Sequence, residues 1–407
     1  MKDQNVCVVG LGYIGLPTAS VLASSGFQVL GLEVNPQVVE TINQGEPHIY
    51  EPDLDGLVHK VISTGALKAT VTPTEADIFM IAVPTPFKNG HEPDISYIES
   101  AMDMIAPVIK PGNLVILEST SPVGTTRLMA ERLFEKRADL NSDSVHFAYC
   151  PERVLPGKIL HELIHNDRVV GGLTDEATKE AEHFYQSFIR GQVYPTTAET
   201  AEMVKLAENS YRDVNIAFAN ELANISDQFG IDPFETIELA NKHPRVQILQ
   251  PGPGVGGHCI AVDPWFIVHS APDKSQLIHQ ARKTNDGRPA LVVKKTLQAI
   301  EKLDAKKIAC WGLSFKANID DLRESPAIDV VNQLKSAGLS PMLVEPNIED
   351  LPQSLNQLEL VSLEQALETA DLHILLVDHK EFLDLKSSDF DPTRVIDTRG
   401  ILRRLKD

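Results

Sequence analysis

The residue best suited to chemistry in this chain is a cysteine. Gly252-Pro253-Gly254-Val255-Gly256-Gly257-His258-Cys259 holds a thiol in a glycine-rich loop, and Asp263-Pro264 just beyond reads as a helix start. A helix N-terminus stabilises negative charge, so it enlarges the ionised fraction of a thiol whose free pKa is ~8.5. A thiolate there can add to an aldehyde, and the resulting thiohemiacetal can give up a hydride. That is the chemistry needed to carry an alcohol through the aldehyde to the acid. Asp263 reads either as the helix cap or as a catalytic acid. Lys205, Asn209 and Arg212, spaced four and three apart, share one face of a helix. They suit a polar substrate and a developing alkoxide, with the lysine stabilising charge or moving a proton. The alternative is a solvated face, because Glu202, Glu208 and Asp213 lie close by.

A second constellation opens the chain. Cys7-Val8-Val9-Gly10-Leu11-Gly12-Tyr13-Ile14-Gly15 sets GxGxxG directly after an apolar strand and ahead of a helix. Gly10 permits the tight turn, Gly12 lets the backbone approach a pyrophosphate, and Gly15 allows close helix–strand packing. Tyr13 and Ile14 fill the same turn. Glu33, at the end of the second strand, can bind both ribose hydroxyls and repels a 2′-phosphate, so NAD is expected rather than NADP. Thr85 and Thr120 each follow a strand, where ligands of open α/β sheets bind; the bland alternative is a pair of turn threonines beside prolines. Cys7 and Cys310 lie in apolar strands and read as inert, while Cys150, beside Pro151-Glu152-Arg153, is open. His258 next to Cys259 lacks zinc-ligand spacing, so no metal is expected.

The elements that must position these residues follow a clear plan. Short apolar runs alternate with helical stretches through the first ~190 residues, the pattern of a doubly wound parallel sheet. Strands are expected at Val6–Gly10, Gln28–Glu33, Ile78–Val83, Leu114–Glu118, His146–Cys150 and Arg168–Gly171. Thr200–Phe229 contains no proline or glycine and keeps mostly helical spacing at Met203, Leu206, Ala207, Ser210, Val214, Ala217, Phe218, Leu222 and Ile225. It reads as a spine helix and a dimer face. A second α/β region begins near Ala305, with strands expected at Lys307–Gly312, Met342–Glu345, Leu372–Val377 and Arg394–Asp397 and a helix over Ser325–Ala337. The expected fold class is α/β: two Rossmann-like domains joined by a long central helix and a helical middle domain. The expected domains are 1–195 for NAD, 196–300 for dimerisation and the cysteine loop, and 301–407 for the second nucleotide-type unit.

Bulk composition narrows the partners. Lys plus Arg is 37 and Asp plus Glu is 57, a net charge of −20, which disfavours nucleic acid and anionic membrane. Four cysteines without CxxC or framework spacing fit a reducing cytoplasm. Val6–Gly10 is too short for a signal-peptide core, and no apolar run approaches the roughly 18 residues of a membrane span.

The chain resembles the UDP-glucose/GDP-mannose dehydrogenases from about residue 4 to 403. The resemblance is carried by GLGYIGLPTA, ESTSPVGTT, CPERVLPG, EMVKLAENSYRDVNIAFANE, HPRVQILQPGPGVGGHCIAVDPWF and GLSFKANIDDLRESPA. Within the family, GHCIAVDPWF is most similar to the branch acting on UDP-N-acetyl-D-mannosamine. The UDP-N-acetylglucosamine branch, with proline where Ala261 stands, comes next. The resemblance implies NAD-dependent four-electron oxidation at C6 to the uronate, with use in bacterial surface polysaccharide synthesis. It implies Cys259 as nucleophile, Lys205 and Asn209 as oxyanion and proton supports, and Glu152 as the base for thioester hydrolysis through a water ordered by Thr120. Asp263 matches the family's acid after the cysteine loop. Arg153, Val154, Lys205, Asn209, Arg212, His243, Gly256, Lys316 and Arg323 match substrate positions, and Arg245 would reach into a neighbouring subunit of a homodimer or larger homo-oligomer. The last domain would hold the UDP moiety. A single-step hydroxyacid dehydrogenase leaves the cysteine loop and third domain unexplained. A non-catalytic nucleotide-sugar binder would have no use for an intact cysteine, lysine and glycine fingerprint.

Overall fold

The computed structural model describes residues 4–406 and divides the chain into two compact units, Met1–Ala207 and Glu208–Asp407. In the first unit, one sheet contains β1 (Asn5–Val9), β2 (Gln28–Leu32), β3 (Leu67–Thr70), β4 (Ile78–Ile81), β5 (Leu114–Leu117), β6 (His146–Tyr149), β7 (Arg168–Gly172) and β8 (Val193–Thr197), in the order β3-β2-β1-β4-β5-β6-β7-β8. All neighbours pair in parallel except β6 and β7, which run antiparallel. Chain order reverses between β1 and β4, the switch point at which open α/β sheets bind ligands.

Burial explains the near-continuous apolar strands. Val6 and Val8 of β1 join one core with Leu16, Phe27 and Phe184, while Cys7 and Val9 join a second core with Phe79, Leu117 and Leu133. A sheet covered on both faces needs apolar residues at every position rather than at alternate ones. The strands β3 and β8 carry weaker signals, LKAT and VYPTT, and the sequence pattern did not point to them.

The spine runs from Ala198 to Phe229, 32 residues, roughly 48 Å at 1.5 Å per residue. It ends where Gly230 turns left-handed at φ +66° and Ile231 N donates back to the Ser226 carbonyl at 3.1 Å, a glycine stop of the usual kind. The second unit contains a smaller parallel sheet of β9 (Ile308–Trp311), β10 (Met342–Val344), β11 (Leu372–Leu375) and β12 (Val395–Asp397), ordered β10-β9-β11-β12. All four strands expected there are present. Cys310 faces one core and Trp311 the other, as in β1. No helix among the described residues is long and apolar enough to cross a membrane.

Candidate active site

In the first unit the glycine fingerprint has the geometry a dinucleotide requires. Gly10 turns at φ +87°, and a Cβ on Gly15 would stand 1.8 Å from the Gly10 carbonyl oxygen, so only glycine fits there. A Cβ on Gly12 would meet nothing within 4 Å, which leaves room for a pyrophosphate over the start of the helix Gly15–Ser24. Ile14 leads into that helix and Tyr13 is exposed beside it. Glu33 accepts from the Leu11 and Asn35 backbone N–H groups, both at 3.1 Å, and stays partly exposed. The fixed carboxylate keeps lone pairs for a ribose. These residues fit NAD.

Thr85 and Thr120 come together, the Thr85 hydroxyl donating to the Thr120 carbonyl at 2.6 Å. The loop after Thr120 is tied to the spine by Glu202. This fully buried carboxylate accepts from Gly124 N at 2.6 Å and from Thr126 N and Oγ1 at 2.8 and 2.7 Å. Burial pushes its pKa up, and these hydrogen bonds oppose the rise. Glu152 is 8% exposed. Its Oε2 accepts from Arg168 at 2.9 Å, its Oε1 from Arg153 N at 2.7 Å, and its carbonyl from Lys205 Nζ at 2.7 Å. The segment carrying Glu152, Arg153 and Val154 is anchored by buried Glu51, which accepts from Gly157 N and Ile159 N at 2.9 and 2.8 Å. Glu51, Arg168 and Glu202 were not singled out from the sequence. Their carboxylate pairings span 16 to 108 positions, so no local pattern announces them.

In the second unit Cys259 is exposed, while Cys7, Cys150 and Cys310 are buried and burial pushes their thiols up to about 12. The Cys259 carbonyl accepts from Val262 N and Asp263 N at 3.0 and 2.9 Å, so the cysteine opens the turn leading into the helix Asp263–Ser270. The cap reading of Asp263 is corrected here. It is the first helical residue, with Val262 at the cap position, and is 3% exposed with Oδ2 accepting from Asn209 Nδ2 at 2.5 Å. The proline is therefore second in the helix, and the carboxylate is directed to the spine. Asn209 is itself buried, so the solvated-face alternative fails for it; Arg212 is exposed.

The cysteine loop cannot bulge. A Cβ on Gly256 would stand 2.4 Å from the Glu324 carbonyl, and one on Gly257, at φ +79°, would stand 2.8 Å from the Phe315 ring. The same loop thus packs on the segment bearing Lys316 and Arg323, both exposed. Arg323 forks onto Asp321 at 2.9 and 2.6 Å. At the loop's other end Gly252 N donates to Asn220 at 2.9 Å and Arg288 donates to the Gly252 carbonyl at 3.0 Å. Asn220 joins a buried network in which Asn285 and Arg282 donate to Asp213 at 2.8 and 2.6 Å. His243 and Arg245 are exposed, with Arg245 N donating to His243 Nδ1 at 3.3 Å.

The helix Ile159–His165 spells His161-Glu162-x-x-His165, a zinc-peptidase pattern. Its geometry does not serve that chemistry. The His rings stack at 4.1 Å and Glu162 accepts from Leu155 N at 2.8 Å. No group of three or more metal-ligating side chains occurs among the described residues.

Comparison with known proteins decides the family. Models of the UDP-glucose/GDP-mannose dehydrogenase family match as its NAD-binding domain over residues 4–189, its central domain over 199–287 and its UDP-binding domain over 309–404. The chain belongs to that family. It is a nucleotide-sugar dehydrogenase, an oxidoreductase with a nicotinamide-binding domain. It is 54% identical to a UDP-N-acetyl-D-mannosamine dehydrogenase of Campylobacter jejuni, over 94% of this chain and 97% of that one. It is 53% identical to an NDP-N-acetyl-D-galactosaminuronic acid dehydrogenase of Ralstonia nicotianae, over 98% and 96%. Among solved structures, the UDP-D-ManNAc dehydrogenase of Pyrococcus horikoshii matches with a TM-score of 0.89 and 40% identity, covering 98% of this chain and 96% of that one.

Proposed function

We propose that the chain oxidises the C6 hydroxyl of UDP-N-acetyl-D-mannosamine to the carboxylate, with two NAD reduced per sugar. The supporting observation is Cys259, exposed at the opening of a helix within a loop that tolerates no side chain at Gly256 or Gly257. NAD, when bound, supplies the hydride acceptor for both oxidations. Lys205, held by the Glu152 carbonyl, takes up the charge or proton of the C6 oxygen, together with Asn209 held by Asp263. The Cys259 thiolate adds to the aldehyde carbon, and loss of a second hydride leaves a thioester. Glu152 removes a proton from water, whose oxygen bonds to the thioester carbon as the C–S bond breaks and the thiolate leaves.

The remaining assignments belong to the same reading. Arg153, Val154, Arg212, His243, Gly256, Lys316 and Arg323 bind the UDP-sugar. Residues 1–195, 196–300 and 301–407 act as NAD, dimerisation and UDP domains. The exposed Tyr211, Phe218 and Ile225, seven apart on the spine, support a homodimer in which Arg245 serves the neighbouring subunit. The cytoplasm and surface polysaccharide synthesis are the setting.

The relatives' names divide between mannosamine and galactosaminuronic substrates, so the test is a panel. Purified protein is given NAD and UDP-N-acetylmannosamine, UDP-N-acetylgalactosamine, UDP-N-acetylglucosamine or UDP-glucose, and NADH is counted per sugar consumed. The expected result is two NADH on the mannosamine substrate, and loss of uronate formation in Cys259→Ala. One NADH with aldehyde released by the unmutated enzyme overturns the covalent route. Preference for another sugar overturns the substrate alone.

A further inference from the structure

The mechanism leaves one buried carboxyl unused. Glu118, which follows β5, is 2% exposed; its Oε1 accepts from the Tyr185 hydroxyl at 2.6 Å, and its Oε2 has no hydrogen-bond partner among the described residues. The Arg168 guanidinium lies over the Tyr185 ring, 5.9 Å from its centre, and forms the 2.9 Å pair with Glu152. Arg168 Nε is likewise buried without a partner among the described residues. Cys150 completes the group. So two carboxyls, one guanidinium, one phenol and one thiol are packed together from the ends of β5, β6 and β7 and the helix Asp175–Gln186. With both carboxyls ionised this apolar interior holds a net negative charge; with one protonated it is neutral.

Burial, and then the charge of Glu152, push Glu118 up to about 7, against the pull of Arg168 and of the Tyr185 hydrogen bond. The neighbouring thiol, phenol and guanidinium do not titrate in that range. Burial lifts the Cys150 thiol to about 12 and the Tyr185 phenol well above its ordinary value. Burial also works against the charge on Arg168, yet the surrounding anions, Glu152 foremost, keep the guanidinium protonated.

We propose that Glu118, which touches no reacting atom, sets the strength of Glu152 as the hydrolytic base by holding or shedding a proton beside their shared Arg168. The proposal rests on the reading of Glu152 as that base. While Glu118 is neutral, the Arg168 charge is directed to Glu152 alone through their 2.9 Å pair. Once Glu118 ionises, it competes for the guanidinium and repels the charge on Glu152, so proton uptake from the attacking water becomes more favourable. Glu152 gains that proton and returns it to solvent after the thiolate has left. Hydrolysis therefore accelerates as pH rises through the Glu118 ionisation.

The test uses full-length enzyme with NAD and UDP-N-acetyl-D-mannosamine, following kcat against pH and the mass of acid-quenched protein. Glu118→Gln keeps an oxygen for Tyr185 but cannot ionise. It is expected to lose the limb near pH 7, to fall about tenfold at pH 8, and to accumulate the Cys259 thioester there. Tyr185→Phe removes a hydrogen bond that favours the charged form, so the limb should move to higher pH. An unchanged limb in either variant, or no adduct in Glu118→Gln, overturns the proposal. Glu152→Gln separates it from its premise: full turnover there sinks the role of Glu152, whereas a trapped thioester there beside an ordinary Glu118→Gln sinks only the role of Glu118.

Discussion

At the end of β1 the chain turns at Gly10, and at the end of β9 it turns at Gly312, both left-handed with φ of +87° and +89°. Each glycine N–H donates to the last residue of the neighbouring strand, Leu32 or Val344, at 2.8 Å. Each following leucine N–H donates to a strand-end glutamate, Leu11 to Glu33 at 3.1 Å and Leu313 to Glu345 at 2.7 Å. An asparagine two residues on donates its N–H to the same acid, Asn35 at 3.1 Å and Asn347 at 3.0 Å. The surroundings then diverge. Glu33 is partly exposed, whereas Glu345 is 4% exposed and its Oε2 also meets Ser314 N at 3.2 Å and His379 Nε2 at 3.0 Å. His379 is fully buried; its Nδ1 accepts from Asn318 N at 3.0 Å and lies 2.9 Å from Asn347 Nδ2. The first acid keeps capacity for a ribose; the second is consumed in holding its own loop. On the proposed reading, exposed Lys316 and Arg323 grip the nucleotide of the second unit, because the strand-end acid is already occupied.

The largest effect expected from this contrast is on stability. Glu345→Ala strips partners from two buried N–H groups and from His379, and should cost about 3–5 kcal/mol in urea unfolding, against under ~1 kcal/mol for Glu33→Ala. Equal losses would break the comparison. Gly15→Ala, which drives a Cβ into the Gly10 carbonyl, should raise the KM for NAD by roughly two orders of magnitude or abolish binding. Lys316→Ala should raise the KM for the UDP-sugar about tenfold while NAD binding, followed by fluorescence titration, stays put. Glu33→Gln should weaken NAD about tenfold and narrow its advantage over NADP, with unfolding unchanged.

The smallest effect is on acid stability. Burial opposes charge on Glu345, but the hydrogen bonds from His379, Leu313 and Asn347 leave its pKa below the ordinary 4.5. Such an acid stabilises the fold above 4.5 and withdraws that support as pH falls through its folded value. Tm in Glu345→Gln should therefore depend less on pH below 4.5 than in the parent, and an identical slope would contradict the sign.

Much of the candidate site's geometry was legible because its signals are local. The order strand, Gly10, Gly12, Gly15, helix is a backbone requirement written in consecutive residues. The spine was readable from thirty residues free of proline and glycine, and it proved two residues longer, beginning at Ala198. Cys259 stood out by its glycines, whose side-chain-free positions are needed against Phe315 and Glu324. Asp263 stayed open between cap and catalytic acid because an Asp-Pro pair looks the same whether the carboxylate caps the helix or reaches Asn209. Arg323 was named only through the family resemblance, and its fork onto Asp321 could not be separated from simple solvation by spacing alone.

By itself the sequence determined which strands are buried on both faces, where the long helix runs, where the backbone must turn without a side chain, and which thiol stands apart. These follow from periodicity and from the sterics of glycine, which act over a few residues. Only the tertiary structure decided which acids are free and which are spent. Glu33 and Glu345 sit in matching local sequence, but one meets solvent and the other a histidine 34 residues away. A carboxylate's role depends on its solvation and its partners, and those are set by chain segments that meet only after folding.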